Sequence, residues 1–166
     1  MFMSIFARLK MRNIEKPIMK YYDDGGRGRG NCTWGIGTKA HNGPCSAVEL
    51  ARSVTDADME TAFASRLREA ERGVDRHVTV PLTQAQYDAL VSLTYNAGVR
   101  GAKRVYKLLN EGNFQGAANE ISSMTSGHEL REGKRVVVFY SGLIPRRRAE
   151  SAPFRNADAP LMSAAK

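Results

Sequence analysis

Seven of the fifteen glycines crowd into residues 25 to 43, as GG, GRGRG, GIG and NG. A helix cannot usefully cross such a segment, since each interior glycine costs it about 1 kcal/mol relative to alanine. Turns and short strands remain, with CTWGIGT at 32–38 supplying the β-type residues between the turns. The flanks carry a different period. Met3, Ile5, Phe6 and Leu9 recur near one helical turn, which predicts an amphipathic helix from 3 to about 15. Pro17 ends it. A residue close before a proline is pushed toward extended backbone, so Glu15 is expected in the last turn or just past it.

Beyond residue 45 the expectation is of helices and almost nothing else. SAVEL and TDADMETAFASRLREAERGVDRHV both open on a hydroxyl residue followed three positions later by a carboxylate, the capping-box pattern. Met59, Phe63, Leu67 and Ala70 put the second in register for about twenty residues, ending near Gly73. LTQAQYDALVSLTYNAG follows, with Thr83 as N-cap, Gly98 as stop and Tyr87, Leu90, Val91 and Tyr95 on one stripe. AKRVYKLLNEG, NFQGAANEISSM and GLIPRRRAESAPF complete the helical set, and no internal repeat is present. The predicted fold is α+β, mainly α: a small β-hairpin lobe at about 17–55 and a larger helical lobe at about 1–16 and 78–155. A long helix at about 56–73 connects them, and a cleft is expected between them. Residues 1–155 form one domain in this reading, and 156–166 a surface tail.

Composition narrows the function. A chain of 166 residues, 42% hydrophobic, is enough for one sizeable core. Its net charge of +8 calls for an anionic partner: nucleic acid, a lipid surface or the bacterial envelope. No apolar run approaches the roughly 18 residues that span a bilayer. MFMSIFARLKMR, interrupted by Arg8, Lys10 and Arg12, is read as neither a membrane segment nor a signal peptide. Cys32 and Cys45, the two cysteines, exclude a thiolate-only zinc site and leave one disulfide or two free thiols. A disulfide would indicate an oxidising compartment. His41, His77 and His128 have no metal-type spacing, and neither a GxSxG nor a P-loop pattern occurs. No metal or cofactor is expected. Arg27 and Arg29 in GRGRG are too few to make an RNA-binding tract, so no nucleic-acid partner is expected.

Glycoside hydrolysis needs one protonated carboxyl group to donate to the leaving oxygen and an ionised one to assist attack from the other face. Glu15, at a helix end whose partial negative charge favours the acid form, suits the first role. Asp24, in a polar glycine-rich turn, suits the second. Thr33 has a hydroxyl that both donates and accepts, and so can orient a water. Taken singly, each is equally a solvated helix end, a turn residue or a strand former.

The order of Glu15, Tyr22, Asp24, a glycine-rich bend, Thr33 and GIG at 35–37 resembles the phage-type lysozymes, the muramidase endolysins of glycoside hydrolase family 24. LTQAQYDALVSLTYNAG and GLIPRRRAE resemble two further blocks of that family, so the likeness covers most of residues 3–155. It implies a lysozyme-like fold with Glu15, Asp24 and Thr33 as the catalytic trio. It further implies that Tyr22, Gly37, Tyr95 and Asn96 touch substrate and that Arg146 pairs with the catalytic glutamate. Departures are Lys16 where glycine is usual, a longer bend between Asp24 and Thr33, and Thr38 in place of the histidine after GIG. Asp23 competes with Asp24 for the second role, but is one residue out of register. The implied reaction is hydrolysis of the β-1,4 bond between N-acetylmuramic acid and N-acetylglucosamine in peptidoglycan. The expected molecule is a monomer made in the cytoplasm and reaching the periplasm through a holin or a secretion system, with an immunity protein as partner in the latter case. The competing readings are an inactive wall-binding module and a cationic membrane-disrupting protein.

Overall fold

The computed structural model describes residues 1–14, 17–26, 28, 30–131 and 134–155. Glu15, Lys16, Arg27, Arg29 and the tail at 156–166 lie outside the described residues. The elements are α1 (Ile5–Ile14), β1 (Ile18–Asp23), β2 (Cys32–Gly35), β3 (Thr38–His41), α2 (Ala47–Leu50) and α3 (Asp56–His77), followed by α4 (Gln84–Asn110), α5 (Phe114–Ser123), β4 (Ser126–Arg131), β5 (Lys134–Phe139) and α6 (Leu143–Ser151). A single 3-10 turn, Ala152–Phe154, closes the described chain. No helix among the described residues is long and apolar enough to cross a membrane.

The chain divides into a smaller unit, Ile5–Arg68, and a larger one made of Met1–Ser4 and the residues from Glu69 onward. The division falls inside α3. It also assigns α1 to the sheet-bearing unit, whereas the expected helical lobe includes residues 1–16. The reason is local: Met11 is buried, the Arg8 guanidinium lies 5.9 Å from the Phe63 ring centre, and Arg12 Nε lies 2.6 Å from Glu60 Oε1. All of these partners sit on the first half of α3.

In the smaller unit the sheet order is β1-β2-β3, both pairs antiparallel. Met11, Cys32, Ile36, Val54, Met59, Phe63 and Leu67 form its core. Cys32 and Cys45 are joined in a disulfide, which resolves the choice that the sequence left open. The capping boxes are present. Ser46 caps α2 with Glu49 in return, and Thr55 exchanges hydrogen bonds with Asp58 at the start of α3.

The larger unit packs α4, α5 and α6 around Leu90, Leu93, Val105, Leu109, Ile121 and Phe154. Thr83 caps α4 as expected, with Gln86 completing the box. Gly73 does not end α3, which continues to His77. A Cβ at Gly73 would press on Val99 and Thr94 of α4, so the glycine serves close helix packing. Gly98 does interrupt its helix, with φ 74° and ψ 162°, but helical residues resume directly and α4 runs on to Asn110. The expectation of helices alone fails at residues 126–131 and 134–139. There β4 and β5 pair antiparallel from Ser126↔Phe139 to Arg131↔Lys134. The run KRVVVF, rich in β-branched residues and following EG, carries that signal.

Candidate active site

The pairing of β1 with β2 sets Tyr22 opposite Thr33 and Asp23 opposite Cys32, and the chain then leaves the sheet as a loop from Asp24 to Asn31. Asp24 N–H donates to the Asn31 carbonyl at 3.0 Å, closing the loop at its base. In return Asn31 N–H donates to Asp24 Oδ1 at 2.7 Å, and Asn31 Nδ2 to Oδ2 at 3.2 Å. The Thr33 hydroxyl stands 3.5 Å from the same Oδ2. Thr33 is buried and Asp24 is exposed, so the carboxylate bridges a fixed hydroxyl and open solvent. Gly30 makes this possible. At φ 78° its backbone turns tightly under Asp24, and a Cβ there would overlap Asp24 Oδ1 and the Gly25 backbone.

The neighbouring carboxylate has a different occupation. Asp23 accepts from Cys45 N–H at 2.7 Å and from Gly28 N–H at 2.6 Å, one bond for each oxygen. It ties the loop to the disulfide-bearing segment. Of the two aspartates, Asp24 is the one that meets Thr33.

Tyr22, half-buried beside this pair, has its hydroxyl pKa raised. Burial is the main cause, the Asp24 charge adds to it, and the Arg66 cation opposes it. The phenol is therefore neutral and a donor at ordinary pH. Gly37 lies in the turn between β2 and β3, where Arg66 Nη1 donates to the Ile36 carbonyl at 2.8 Å and to the Gly37 carbonyl at 3.3 Å. Thr38 Oγ1 is buried with no hydrogen-bond partner among the described residues. The Cys32 sulfur, the His41 ring and the Glu49 carboxylate cluster closely enough to suggest a metal site, but the Cys32 sulfur is bonded to Cys45, which leaves two donors.

The remaining expected residues lie in the larger unit. Tyr95 is buried at 6% exposure and Asn96 is exposed, its Oδ1 accepting from Arg147 Nη2 at 2.6 Å. Arg146 donates from Nε to Glu150 Oε1 at 3.0 Å and from Nη2 to the Ser92 carbonyl at 3.1 Å. Arg147 Nη1 meets the other Glu150 oxygen at 2.6 Å, and Ser92 Oγ donates to Oε1 at 2.7 Å. Asn96 and Arg147 also line an open groove of about 1270 Å³, with Glu120, Met124, Phe139 and Tyr140. The structure thus brings Tyr22, Asp24 and Thr33 together in one unit, and Arg146 and Asn96 into one network in the other. Glu15 lies outside the described residues. Asn31, Gly30, Arg66 and Glu150 were not singled out from sequence. Only Glu150 had a readable signal, at helical spacing from Arg146 and Arg147.

A family model described as phage lysozyme matches residues 14–150. The chain belongs to the phage lysozyme family. The match takes in Glu15, the Asp24 loop, Thr33 and the Glu150 network, and leaves all of α1 but its last residue outside. Among phage lysozyme relatives, the endolysin of Salmonella phage P22 is 32% identical over 152 residues, covering 89% of this chain and 92% of its own length. The endolysin of Bacillus phage B103 is 35% identical over 111 residues, which are 66% of this chain but only 39% of that longer protein. Among solved structures, the muramidase domain of SpmX from Asticaccaulis excentricus superposes with a TM-score of 0.69 at 26% identity, covering 93% of this chain and 98% of that one.

Proposed function

We propose that this phage lysozyme is a peptidoglycan-degrading muramidase that cleaves the β-1,4 bond between N-acetylmuramic acid and N-acetylglucosamine, by family 24 glycoside hydrolase chemistry. The observation that carries the reading is the exposed Asp24 carboxylate, fixed by Asn31 and facing the buried Thr33 hydroxyl at 3.5 Å. Such a pair can hold and polarise one water against a sugar carbon, the carboxylate as base and the hydroxyl as orienting donor and acceptor. Glu15 is assigned the general acid that protonates the leaving oxygen. Arg146 is assigned as its countercharge. Tyr22, Gly37, Tyr95 and Asn96 are assigned to substrate contact, Tyr22 with a neutral phenol and Gly37 with backbone groups.

The site of action is the bacterial cell wall, in keeping with the endolysin names of the relatives. Glu15→Gln, assayed on purified peptidoglycan, tests the reading. Turnover falls on the order of a hundredfold or more while the melting temperature stays near that of the wild type. Mass analysis of the digest must show N-acetylmuramic acid at the new reducing ends. A variant that lyses walls at the full rate overturns the acid assignment. N-acetylglucosamine at the reducing ends overturns the bond assignment.

A further inference from the structure

The large apolar residues of α1 do not all face the core. Met11 is buried at 2% exposure, whereas Ile5, Phe6 and Leu9 are 79%, 80% and 60% exposed, and Phe2 just ahead of the helix is 80% exposed. At about 100° per residue, Ile5, Leu9 and Phe6 share one face, and Met11 lies on the side opposite Leu9. Single exposed apolar side chains are ordinary, but three on one face of a ten-residue helix form a patch of the kind that marks an interaction surface. Arg8 borders the patch on one side and Lys10 on the other, both exposed. Arg12 shares its charge with Glu60.

The charge identifies the occupant. Residues 1–14 contain Arg8, Lys10 and Arg12 and no acidic residue. A second copy of the helix would set like charges against one another around the apolar contact. An anionic lipid surface accepts both parts of the pattern, with the apolar side chains entering the boundary region and the cations pairing with headgroup phosphates. We propose that α1 is an interfacial helix that docks this protein reversibly on anionic membrane. The enzyme is thereby held at the lipid surface that borders its proposed polymer. The docking is separate from catalysis and does not depend on the assignment of Glu15.

The test uses sedimentation of the full chain with vesicles of phosphatidylcholine alone or of phosphatidylethanolamine with phosphatidylglycerol. The protein should pellet with the anionic vesicles, remain free of the neutral ones, and be released by salt as the screening length shortens. Phe6→Gln with Leu9→Gln should weaken binding about tenfold or more. Val48→Gln, at an 81% exposed position in α2, should leave it unchanged. Both variants should keep the wild-type melting temperature and full activity on soluble wall fragments. Equal binding by the Phe6/Leu9 variant would overturn the proposal, because net charge alone would then suffice. So would a failure of the wild type to pellet, or a dimer in light scattering that this variant abolishes without any vesicle binding.

Discussion

Asp24 and Glu150 each gather an arginine-free or arginine-rich set of donors, and the contrast separates a carboxylate available for chemistry from one fixed for structure. Asp24 is exposed and held by one asparagine and a threonine hydroxyl on a glycine-made loop, so its oxygens keep capacity for water. Glu150 is 4% exposed and accepts from Arg146, Arg147 and Ser92, with Arg147 itself 3% exposed. A buried carboxylate with that many partners has nothing left to offer a substrate. Its removal would take the shared carboxylate from two largely buried guanidinium groups, leaving Arg146 its bond to Ser92 and Arg147 its bond to Asn96.

The sharpest way to break this contrast is to exchange the two losses. Asp24→Asn should lower activity on the order of a hundredfold while melting within a few degrees of the wild type. Glu150→Ala should cost about 3–5 kcal/mol, a fall of roughly 10 °C in a chain of this size. Activity and thermal melting of the two variants, measured side by side, decide it. If Asp24→Asn unfolds the protein as readily as Glu150→Ala does, the Asp24 loop is scaffold and its catalytic assignment fails.

A second test concerns what holds the exposed site in place. The Cys32–Cys45 bond closes a loop between residues thirteen apart, and Asp23 accepts the N–H of Cys45, so the bond braces the base of the Asp24 loop. Cys32→Ser with Cys45→Ser should cost about 3 kcal/mol through the released chain entropy. Hydrogen exchange locates the loss. Amides of β2 should lose protection while those of α4 near Leu90 keep it, and an equal loss in both would mean that the bond stabilises the chain as a whole.

Gly30→Ala is a smaller and more local change. The left-handed backbone strain is on the order of 1–3 kcal/mol, but the new Cβ must push Asp24 Oδ1 aside. Activity should therefore fall by a larger factor than stability accounts for. A variant that melts lower yet keeps full turnover would mean that the carboxylate does not need its observed position.

Much of this was legible in the sequence because the signals were local. The Ser46, Thr55 and Thr83 caps and the glycine-rich turns all follow from neighbours within a few residues. Features decided by tertiary packing were not legible. Gly73 looks like a helix stop, yet it is a contact point for Val99. Ile5, Phe6 and Leu9 look like a buried stripe, yet only Met11 of α1 is buried. At β4 and β5 the helical pattern on both sides sets a helical expectation, which the β-branched run in KRVVVF contradicts.

The smallest expected effect, and the one that compares the two units most evenly, is alkaline. Burial is the leading cause of a raised hydroxyl pKa at three tyrosines: Tyr22 in the smaller unit, and Tyr87 and Tyr106 in the larger. At Tyr87 the charges of Asp75, Glu71 and Asp88 push in the same direction, while at Tyr106 a hydrogen bond with Thr94 pulls slightly back. A raised pKa in the folded state means that the unfolded chain loses these protons first. The stability they contribute is thus complete below the unfolded tyrosine value near 10 and is lost as pH rises through it toward the folded values. Melting temperature followed from about pH 8 to 12, with tyrosinate absorbance recorded on the same samples, should show unfolding and the rise in absorbance in step. Tyr87→Phe should soften the alkaline loss more than Tyr22→Phe, since the larger unit holds the more completely buried phenol. A melting temperature that stays flat while all the phenols titrate would show that Tyr87 and Tyr106 reach solvent without unfolding, and that the larger unit is the less rigid of the two.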